Sequence, residues 1–538
     1  MVVTPNTNIT LLKTPFELDS LNQLTFSSKQ AQYNYFNSLP KLSYDNATYQ
    51  RKDGVIAFPT SPTGVTYEDL IQYNYCMYQN ESYNDKWFYA YITKVTYDNN
   101  GMSYIEIETD VFQTWQFDIT YKPSFIDREM LAKSDDVVGA NTIPENLETG
   151  EYIDMDHQTY SYNGYYTCIA VSENLFEDNQ APVKTYNSIP SGLTYIILKT
   201  SADIQKAIWL YDQKTEALYS LFVIPEEFVP TPTWRQWTWT FGSIQVTIDY
   251  AYVPNSVGTI SLGNIDISLP SSINGYTPKN NKLFTFPYNF IKADNNCGIN
   301  TIYHYELFSN MNQCRFNQRG IINIGCAIKS IPLNYKNTQV NYNESFNNAK
   351  LPVGSWLNDP YTNWLTQNSV NMKMNVIEGG LSTGLNAGMV GAGLFGGAGA
   401  LIGGIGGGLA GSFTGILNNM IQSKEHDYMP KQVSGNTNSS DIMFSAGNIA
   451  PVFYRTCIKQ EFARCIDDFF SMFGYKTNRV KLPNINNRSN WNYVKTKGCN
   501  IIGDIPQADL QKIKNLFDNG FTLWHNPNTF LDYSQANN

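Results

Sequence analysis

Charge is scarce in this sequence of 538 residues. Only 16% of the residues are charged, and 47 Asp and Glu outnumber 37 Lys and Arg, which gives a formal net charge of −10. A protein that coats nucleic acid gains affinity by neutralising phosphates, and it needs a positive surface to do so. The composition therefore argues against general nucleic-acid binding.

Histidine and closely spaced cysteine are also lacking. The four histidines are isolated along the chain, and the eight cysteines include no CxxC pair. Zinc sites, thioredoxin-like redox centres and Ser-His-Asp triads depend on such residues. We therefore expect no catalytic triad, no metal and no cofactor, and we expect the cysteines to be buried thiols. The first residues show no basic start before an apolar run, so we expect no secretory signal and assembly inside a cell.

Aromatic residues and asparagine are abundant. Aromatic residues make up 14% of the chain, and 60 residues are asparagine. Aromatic side chains favour strands and asparagine favours turns. The chain is also long enough for several domains. The sequence predicts a mainly β, multidomain fold with a few helices.

A β-hairpin is predicted near residue 100. The aromatic and β-branched run Trp87–Thr96 is followed by an Asp-Asn-Asn-Gly turn and by strict alternation over residues 103–111. This alternation predicts an acidic face that comprises Glu106, Glu108 and Asp110. The face is either an ordinary solvated surface or a negative wall past which DNA slides without binding.

A second aromatic strand pair is predicted at residues 233–250. Trp237, Trp239 and Phe241 alternate with polar residues, and an alternating apolar run follows. Such a stripe is usually sheet core, and a sugar-stacking surface is the alternative.

Two helices are predicted in the C-terminal hundred residues. Apolar residues recur at helical spacing from Ile458 to Phe473, just before Gly474, and again from Leu510 to Phe517, just before Gly520. A basic extended stretch lies between them. It is either solvated or in contact with an acidic subunit or DNA phosphate, and its cations are Lys476, Arg479, Lys481, Arg488, Lys495 and Lys497.

The composition changes abruptly after Glu378. No charged residue occurs before Lys424, and 16 of the 37 glycines fall within the 39 positions 379–417. An uncharged stretch of this length suffices for two helical crossings of the roughly 30 Å hydrocarbon core of a bilayer. The segment is interpreted as a membrane-active element, with a buried structural segment or a flexible linker as alternatives.

Small residues recur every four positions in this segment, as in helices that pack closely in lipid. The packing positions include Gly380, Gly384, Gly388, Gly396, Gly403, Gly407 and Gly411. The side chains offered to acyl chains are Leu385, Met389, Leu394, Phe395, Leu401, Ile402, Ile405, Leu409 and Phe413. Glycine costs a helix about 1 kcal/mol relative to alanine, so we expect a segment that changes shape. A soluble protein must hide such a patch, which favours oligomerisation.

Several runs near the two ends of the chain are long and unusual in composition. They are NDKWFYA at 84–90, DVFQTWQFD at 110–118, FIDRE at 125–129, GYKTNRV at 474–480, WNYVKTK at 491–497, and FDNG with LWH between 517 and 525. Together they resemble the tail knob, or distal tail tube, proteins of small short-tailed phages (podoviruses) that infect Gram-positive bacteria.

The resemblance implies a virion structural protein of the tail tip without enzymatic activity. It implies β-barrel-like tube domains and this division of the chain: 1–150 an N-terminal tube-forming β domain, 151–370 a β-rich knob region, 371–425 the Gly-rich apolar membrane-active loop, and 426–538 a C-terminal tube-completing α+β region. It also implies a homo-hexamer that contacts other tail proteins such as the lower collar. Viral double-stranded DNA would pass through its lumen without specific binding, and apolar loops would plug the tube and then penetrate the host membrane.

Two other functions stay open at this point. A tail-associated cell-wall hydrolase would need only two carboxylates, but no local motif singles out a pair. Receptor binding through the aromatic residues of 151–370 is the other alternative.

Overall fold

The structure is a computed structural model. It describes residues 7–538 with gaps at 49, 62, 81–83, 85, 177–180, 187–188, 212–216, 242–243, 254–259, 297, 325, 349–350, 352 and 356–449. The chain divides into two compact units, of which the first comprises Met1–Glu151, Ser272–Tyr288 and Ile458–Asn538, and the second Tyr152–Ser271 and Asn289–Cys457. Strands dominate both units, which confirms the predicted mainly β fold with few helices. The functional domain boundaries given above stay a prediction.

The first unit contains three sheets and five α-helices in its described part. Its strands are β1 Thr7–Leu12, β2 Asn22–Leu24, β3 Lys41–Ala47, β4 Val55–Pro59, β5 Tyr75–Asn80, β6 Phe88–Asn99, β7 Met102–Thr109, β8 Ile119–Tyr121, β9 Ser124–Glu129, β26 Tyr475–Lys481, β27 Trp491–Lys497, β28 Ile501–Gly503 and β29 Phe521–Trp524. Its helices are α1 Lys29–Ser38, α2 Tyr67–Leu70, α3 Val111–Trp115, α5 Gln460–Phe473 and α6 Gln507–Asn519.

A curved six-stranded sheet forms one wall of the first unit. Its order is β3-β1-β5-β6-β7-β4, and every pair is antiparallel. The sheet curls into a half-barrel, and the ring centroids of Tyr44 on edge strand β3 and Phe58 on edge strand β4 lie 5.3 Å apart. Its buried face packs against α6 through Ile513 and Phe517. The predicted hairpin is confirmed as β6 and β7.

A five-stranded sheet unites the two ends of the chain. Its order is β2-β29-β27-β9-β26, in which β2 runs parallel to β29. Trp491 of β27 and Trp524 of β29 are fully buried with ring centroids 5.1 Å apart. The remaining sheet pairs β28 with β8.

Both predicted C-terminal helices are confirmed. Helix α5 ends at Gly474 and α6 ends at Gly520, and both glycines have positive φ. Each helix ends there because a residue without Cβ adopts the left-handed region at little cost.

The second unit contains three further sheets and helix α4, Ser201–Tyr211, in its described part. Its strands are β10 Tyr152–Thr159, β11 Tyr165–Val171, β12 Val183–Tyr186, β13 Ile189–Leu198, β14 Leu218–Pro225, β15 Arg235–Phe241, β16 Ile244–Tyr252, β17 Ile260–Ile267, β18 Asn289–Asp294, β19 Asn300–Tyr303, β20 Cys314–Ile321, β21 Ala327–Tyr335, β22 Thr338–Val340, β23 Phe346–Asn347, β24 Val353–Ser355 and β25 Val452–Ile458. The sheet orders are β10-β25-β18-β19, β15-β16-β13-β11-β14-β24 with β12 on β13, and β17-β20-β21-β22 with β23 on β21.

The aromatic stripe on β15 belongs to the core of the second unit. Trp237 and Trp239 are half-buried and pack against its main apolar cluster, and the Trp209 and Trp239 rings lie 4.6 Å apart. This favours the core interpretation over a sugar-stacking surface.

The cysteines are mostly buried, as expected. Cys76, Cys168, Cys314, Cys326, Cys457 and Cys499 are buried, but Cys465 is exposed. The prediction is wrong for Cys465, because this residue lies on the solvent-facing side of α5, whereas Ala463 and Ile466 lie on the side that faces the core.

Candidate functional site

The face of β7 that was predicted to be acidic carries paired charges. Glu106 lies 3.4 Å from Lys94 Nζ on β6, and Glu108 lies 3.1 Å from Lys512 Nζ on α6. These carboxylates and their lysines are all partly exposed. The face is therefore a set of ion pairs and not a purely negative strip.

An open depression of about 370 Å³ lies beside these pairs, within the first unit. Its lining residues are Asp53, Gly54, Val55, Thr93, Glu106, Ile107, Glu108 and Lys512. Burial alone would raise the pKa of Asp53, but hydrogen bonds from Thr109 and the charges of Lys52 and Lys512 hold it below its usual value. The depression thus places the positive charge of Lys512 beside the carboxylates of Asp53 and Glu108.

Asp110 does not lie on this face, and its predicted place there is wrong. The strand ends at Thr109, and Asp110 is a buried N-cap of α3 whose carboxylate accepts the backbone N–H of Gln113 at 3.1 Å. The Tyr75 hydroxyl donates to the same carboxylate at 3.0 Å. Burial raises the pKa of Asp110. An Asp followed three residues later by Gln is a helix-start signal, and it could have revealed this cap.

Buried glutamines adjoin Asp110 and were missed by the sequence reasoning. Gln113 Nε2 donates at 2.8 Å to Gln23 Oε1 and at 2.8 Å to the Leu24 carbonyl. Gln32 Nε2 donates to the Gln113 carbonyl at 2.8 Å. Through these hydrogen bonds the run DVFQTWQFD connects α3 to β2 and to α1 within the first unit.

A buried ion cluster connects the runs FIDRE and GYKTNRV. Glu145 is buried and forms ion pairs with both Arg128 and Lys282, and it accepts the backbone N–H of Lys476 at 2.9 Å. The Arg128 guanidinium also donates to the Gly474 carbonyl at 2.6 Å. Burial lowers the pKa of Lys282, while Glu145 acts against that shift. One carboxylate thus holds two buried cations and joins distant parts of the chain.

The basic stretch after α5 is partly neutralised by its own chain. Lys481 pairs with Glu129 at 2.5 Å and Lys497 with Asp127 at 3.4 Å. Arg488 donates to the Asn537 carbonyl at 2.8 Å. Arg479 is exposed near the outer end of β26. The side chains of three of the six cations of this stretch therefore have partners within the fold, and Arg479 is exposed to solvent.

The Gly-rich apolar segment lies outside the described residues, as do its predicted packing glycines and its predicted lipid-facing side chains, from Gly380 to Phe413. In the part of the chain that the structure describes, no helix is long and apolar enough to cross a bilayer. The same part holds no group of three His, Cys, Asp or Glu side chains suited to a metal ion.

Comparisons with known proteins match this chain to phage tail proteins. The family model described as Bacillus phage phi29, Tail knob protein gp9, C-terminal domain, matches residues 256–538, and the model of the caudoviral major tail protein N-terminus matches residues 5–121. The tail knob protein gp9 of Bacillus phage B103 is 27% identical over 95% of both chains, and that of Bacillus phage PZA is 27% identical over 96% of both. The solved structure of the bacteriophage C1 tail knob protein gp12 aligns over 98% of both chains with a TM-score of 0.61 and 14% identity, which shows a shared fold.

Proposed function

Since the chain belongs to the tail knob protein family of podophages and carries a tail-tube domain, we propose that it forms a hexameric tube that conducts the viral genome. The resemblance predicted from the sequence runs is thereby confirmed, and the chain is a structural component of a phage tail. Within the proposal, the tube assembles in the host cytoplasm and sits at the tail tip, where it contacts other tail proteins. It has no catalytic activity.

The membrane step of this proposal rests on one observation. Residues 379–423 carry no charge, within a chain that matches tail knob proteins over nearly its whole length. Glycine gives the backbone the freedom to fold inside a tube, and helices form once lipid makes unpaired backbone groups prohibitive. We propose that these segments plug the tube and then enter the host membrane.

Deletion of residues 379–417 tests this step. The deletion variant should stay a hexamer by native mass spectrometry, lose dye release from liposomes, and give virions that adsorb without delivering DNA. Replacing Gly403, Gly407 and Gly411 by Leu should reduce leakage more than Gly397→Leu, which lies outside that stripe of small residues. Leakage by the deletion variant equal to that of the parent would place membrane activity elsewhere.

The lumen part of the proposal concerns Glu106 and Glu108. Each holds a lysine in an ion pair, so a wall built from these pairs offers DNA phosphates no free cation. Glu106→Gln with Glu108→Gln would remove the ion-pair partner of Lys94 and leave Lys512 with the weaker attraction of Asp53, and it should slow ejection several-fold in a salt-dependent way. The matched control is Glu68→Gln, an exposed carboxylate on α2. Ejection at the parent rate would show that the pairs do not line the path of DNA.

The absence of catalysis has a direct test as well. Purified hexamer should leave no cleared band in a zymogram of host cell walls. A cleared band would support the hydrolase alternative.

A further inference from the structure

Two exposed segments lie at opposite edges of the five-stranded sheet of the first unit. The first, the acidic turn, is Glu17–Leu21, which leads into edge strand β2. The second, the basic edge, is residues 478–482, at the outer end of edge strand β26. Four strand spacings of about 4.8 Å separate these edges by about 19 Å, so the two segments of one chain do not meet.

Each of the two segments exposes two large aliphatic side chains. On the acidic turn, Leu18 is 56% and Leu21 is 45% exposed. On the basic edge, Val480 is 70% and Leu482 is 56% exposed, and Val480 is the most exposed large apolar side chain in the described part of the chain. Paired apolar patches of this kind mark protein contact sites.

The charges beside these side chains are complementary. Glu17 and Asp19 flank Leu18, whereas Arg479 and Lys481 flank Val480. Lys481 is paired with Glu129 at 2.5 Å, whereas the exposed Arg479 acts on Glu129 only through longer-range attraction and supplies the remaining positive charge. Like charges face each other if two turns or two edges meet, and opposite charges face each other only if a turn meets an edge.

The acidic turn is held in shape before any contact is made. The backbone N–H of Ser20 donates to the Glu17 carbonyl at 3.2 Å, and that of Leu21 donates to Asp19 Oδ1 at 2.9 Å. The Leu21 carbonyl accepts the N–H of Thr522 at 2.8 Å, which fixes the turn to the sheet. A preorganised segment loses little conformational entropy on binding.

We propose that the acidic turn of one copy docks on the basic edge of the next copy. A contact between two different surfaces is head-to-tail, and such contacts generate a closed ring when the rotation between copies allows closure. The inference rests on the proposed hexameric tube and names the surfaces that hold its subunits together.

Two charge-reversed full-length variants test the proposal. The edge variant carries Arg479→Glu and Val480→Glu, and the turn variant carries Glu17→Lys and Leu18→Lys. All four side chains are exposed, so the circular dichroism spectrum of each variant should match that of the parent. In each variant alone the two surfaces bear the same charge, and sedimentation velocity should show at least a tenfold loss of hexamer.

An equimolar mixture of the two variants gives the sharpest readout. Each reversed surface then meets its reversed partner, and each unchanged surface meets its unchanged partner. Hexamers with equal numbers of the two chains should return. A control with Lys279→Glu and Val137→Glu, which are 67% and 57% exposed elsewhere in the first unit, should assemble like the parent.

The outcomes separate the two proposals. If the parent is a hexamer and both variants alone stay hexameric, the docking surfaces are wrong and the tube stands. If the variants dissociate but the mixture does not reassemble, the turn does not meet the edge and this inference is overturned. If the parent itself forms no hexamer, the proposed tube fails first.

Discussion

Trp115 and Asp509 are 394 residues apart in the chain, and the indole Nε1 of the first donates a 2.8 Å hydrogen bond to the carboxylate of the second. Asp509 is completely buried on α6 and also pairs with Lys52. The contact therefore connects the part of the chain that matches the major tail protein model with the part that matches the gp9 model.

Trp115→Phe should lower the free energy of unfolding by about 1–3 kcal/mol, because a buried carboxylate loses a donor. Urea unfolding followed by circular dichroism measures the change. Trp237→Phe is the control, since this half-buried indole packs against the apolar core of the second unit. Equal losses at both positions would mean that ring size, and not the hydrogen bond, sets the cost.

Glu145→Gln should be more costly than Lys282→Met. The first change leaves Arg128 and Lys282 buried without a countercharge, which typically costs about 3–5 kcal/mol. The second leaves one carboxylate with one guanidinium and should cost clearly less. Urea unfolding of both variants decides the order, and the reverse order would contradict the assigned role of Glu145.

Stability should fall as the pH drops from about 6.5 toward 4, in part because of His525. Burial lowers the pKa of His525 from its ordinary value of 6.5 to about 4. Thr25 Oγ1 and Asn492 Oδ1 lie 2.8 Å from its two ring nitrogens. In this window the unfolded chain binds a proton that the folded chain excludes, so protonation favours unfolding.

His525→Gln should flatten the pH dependence of the urea midpoint between pH 6.5 and 4, relative to the parent. The control is His157→Gln, which removes an exposed histidine and leaves His525 in place. Carboxylates contribute to both curves and cancel in the difference. A slope identical to that of the parent in His525→Gln would remove this histidine from the acid response.

Gly474→Ala should be far more harmful than Gly498→Ala. Both glycines have positive φ, but a Cβ at 474 would overlap the Glu129 carbonyl, whereas a Cβ at 498 has no neighbour within 4 Å. The change at 498 should lower the free energy of unfolding by only about 1–2 kcal/mol, the cost of a residue with a Cβ at positive φ. The change at 474 should lower soluble yield and the thermal midpoint much further, and similar midpoints would argue against the close approach of Gly474 to the Glu129 carbonyl.

The sequence predicted the elements whose pattern is local. The hairpin of β6 and β7, α5 and α6 follow from side-chain period and from Gly474 and Gly520, because these signals act within a few residues. The prediction for Asp110 was wrong because the polar-apolar alternation in the sequence continues past Thr109, although strand β7 ends there and α3 begins. The local pattern is ambiguous there, and burial against Tyr75 decides the conformation.

Other features depend on pairs that no local pattern records. The ion cluster of Arg128, Glu145 and Lys282 joins three segments of the chain. In the sequence, each of these residues resembles an ordinary charged surface residue. The lysine partners of Glu106 and Glu108 come from β6 and α6, so the acidic face seemed purely negative in the sequence. Tertiary packing created the charge balance of this face.

The order of the strands along the chain determines when each strand of the first unit can pair during synthesis. Strands β1 and β3–β7 pair among themselves and can form their sheet early, but β2, β8 and β9 have their partners among β26–β29. Residues 22–24 of β2 can pair with residues 522–524 of β29 only after the latter have been synthesised. At a synthesis rate of about 5–20 residues per second, this takes about 25–100 s. The segments that become β2, β8 and β9 therefore lack their strand partners while the second unit is being synthesised.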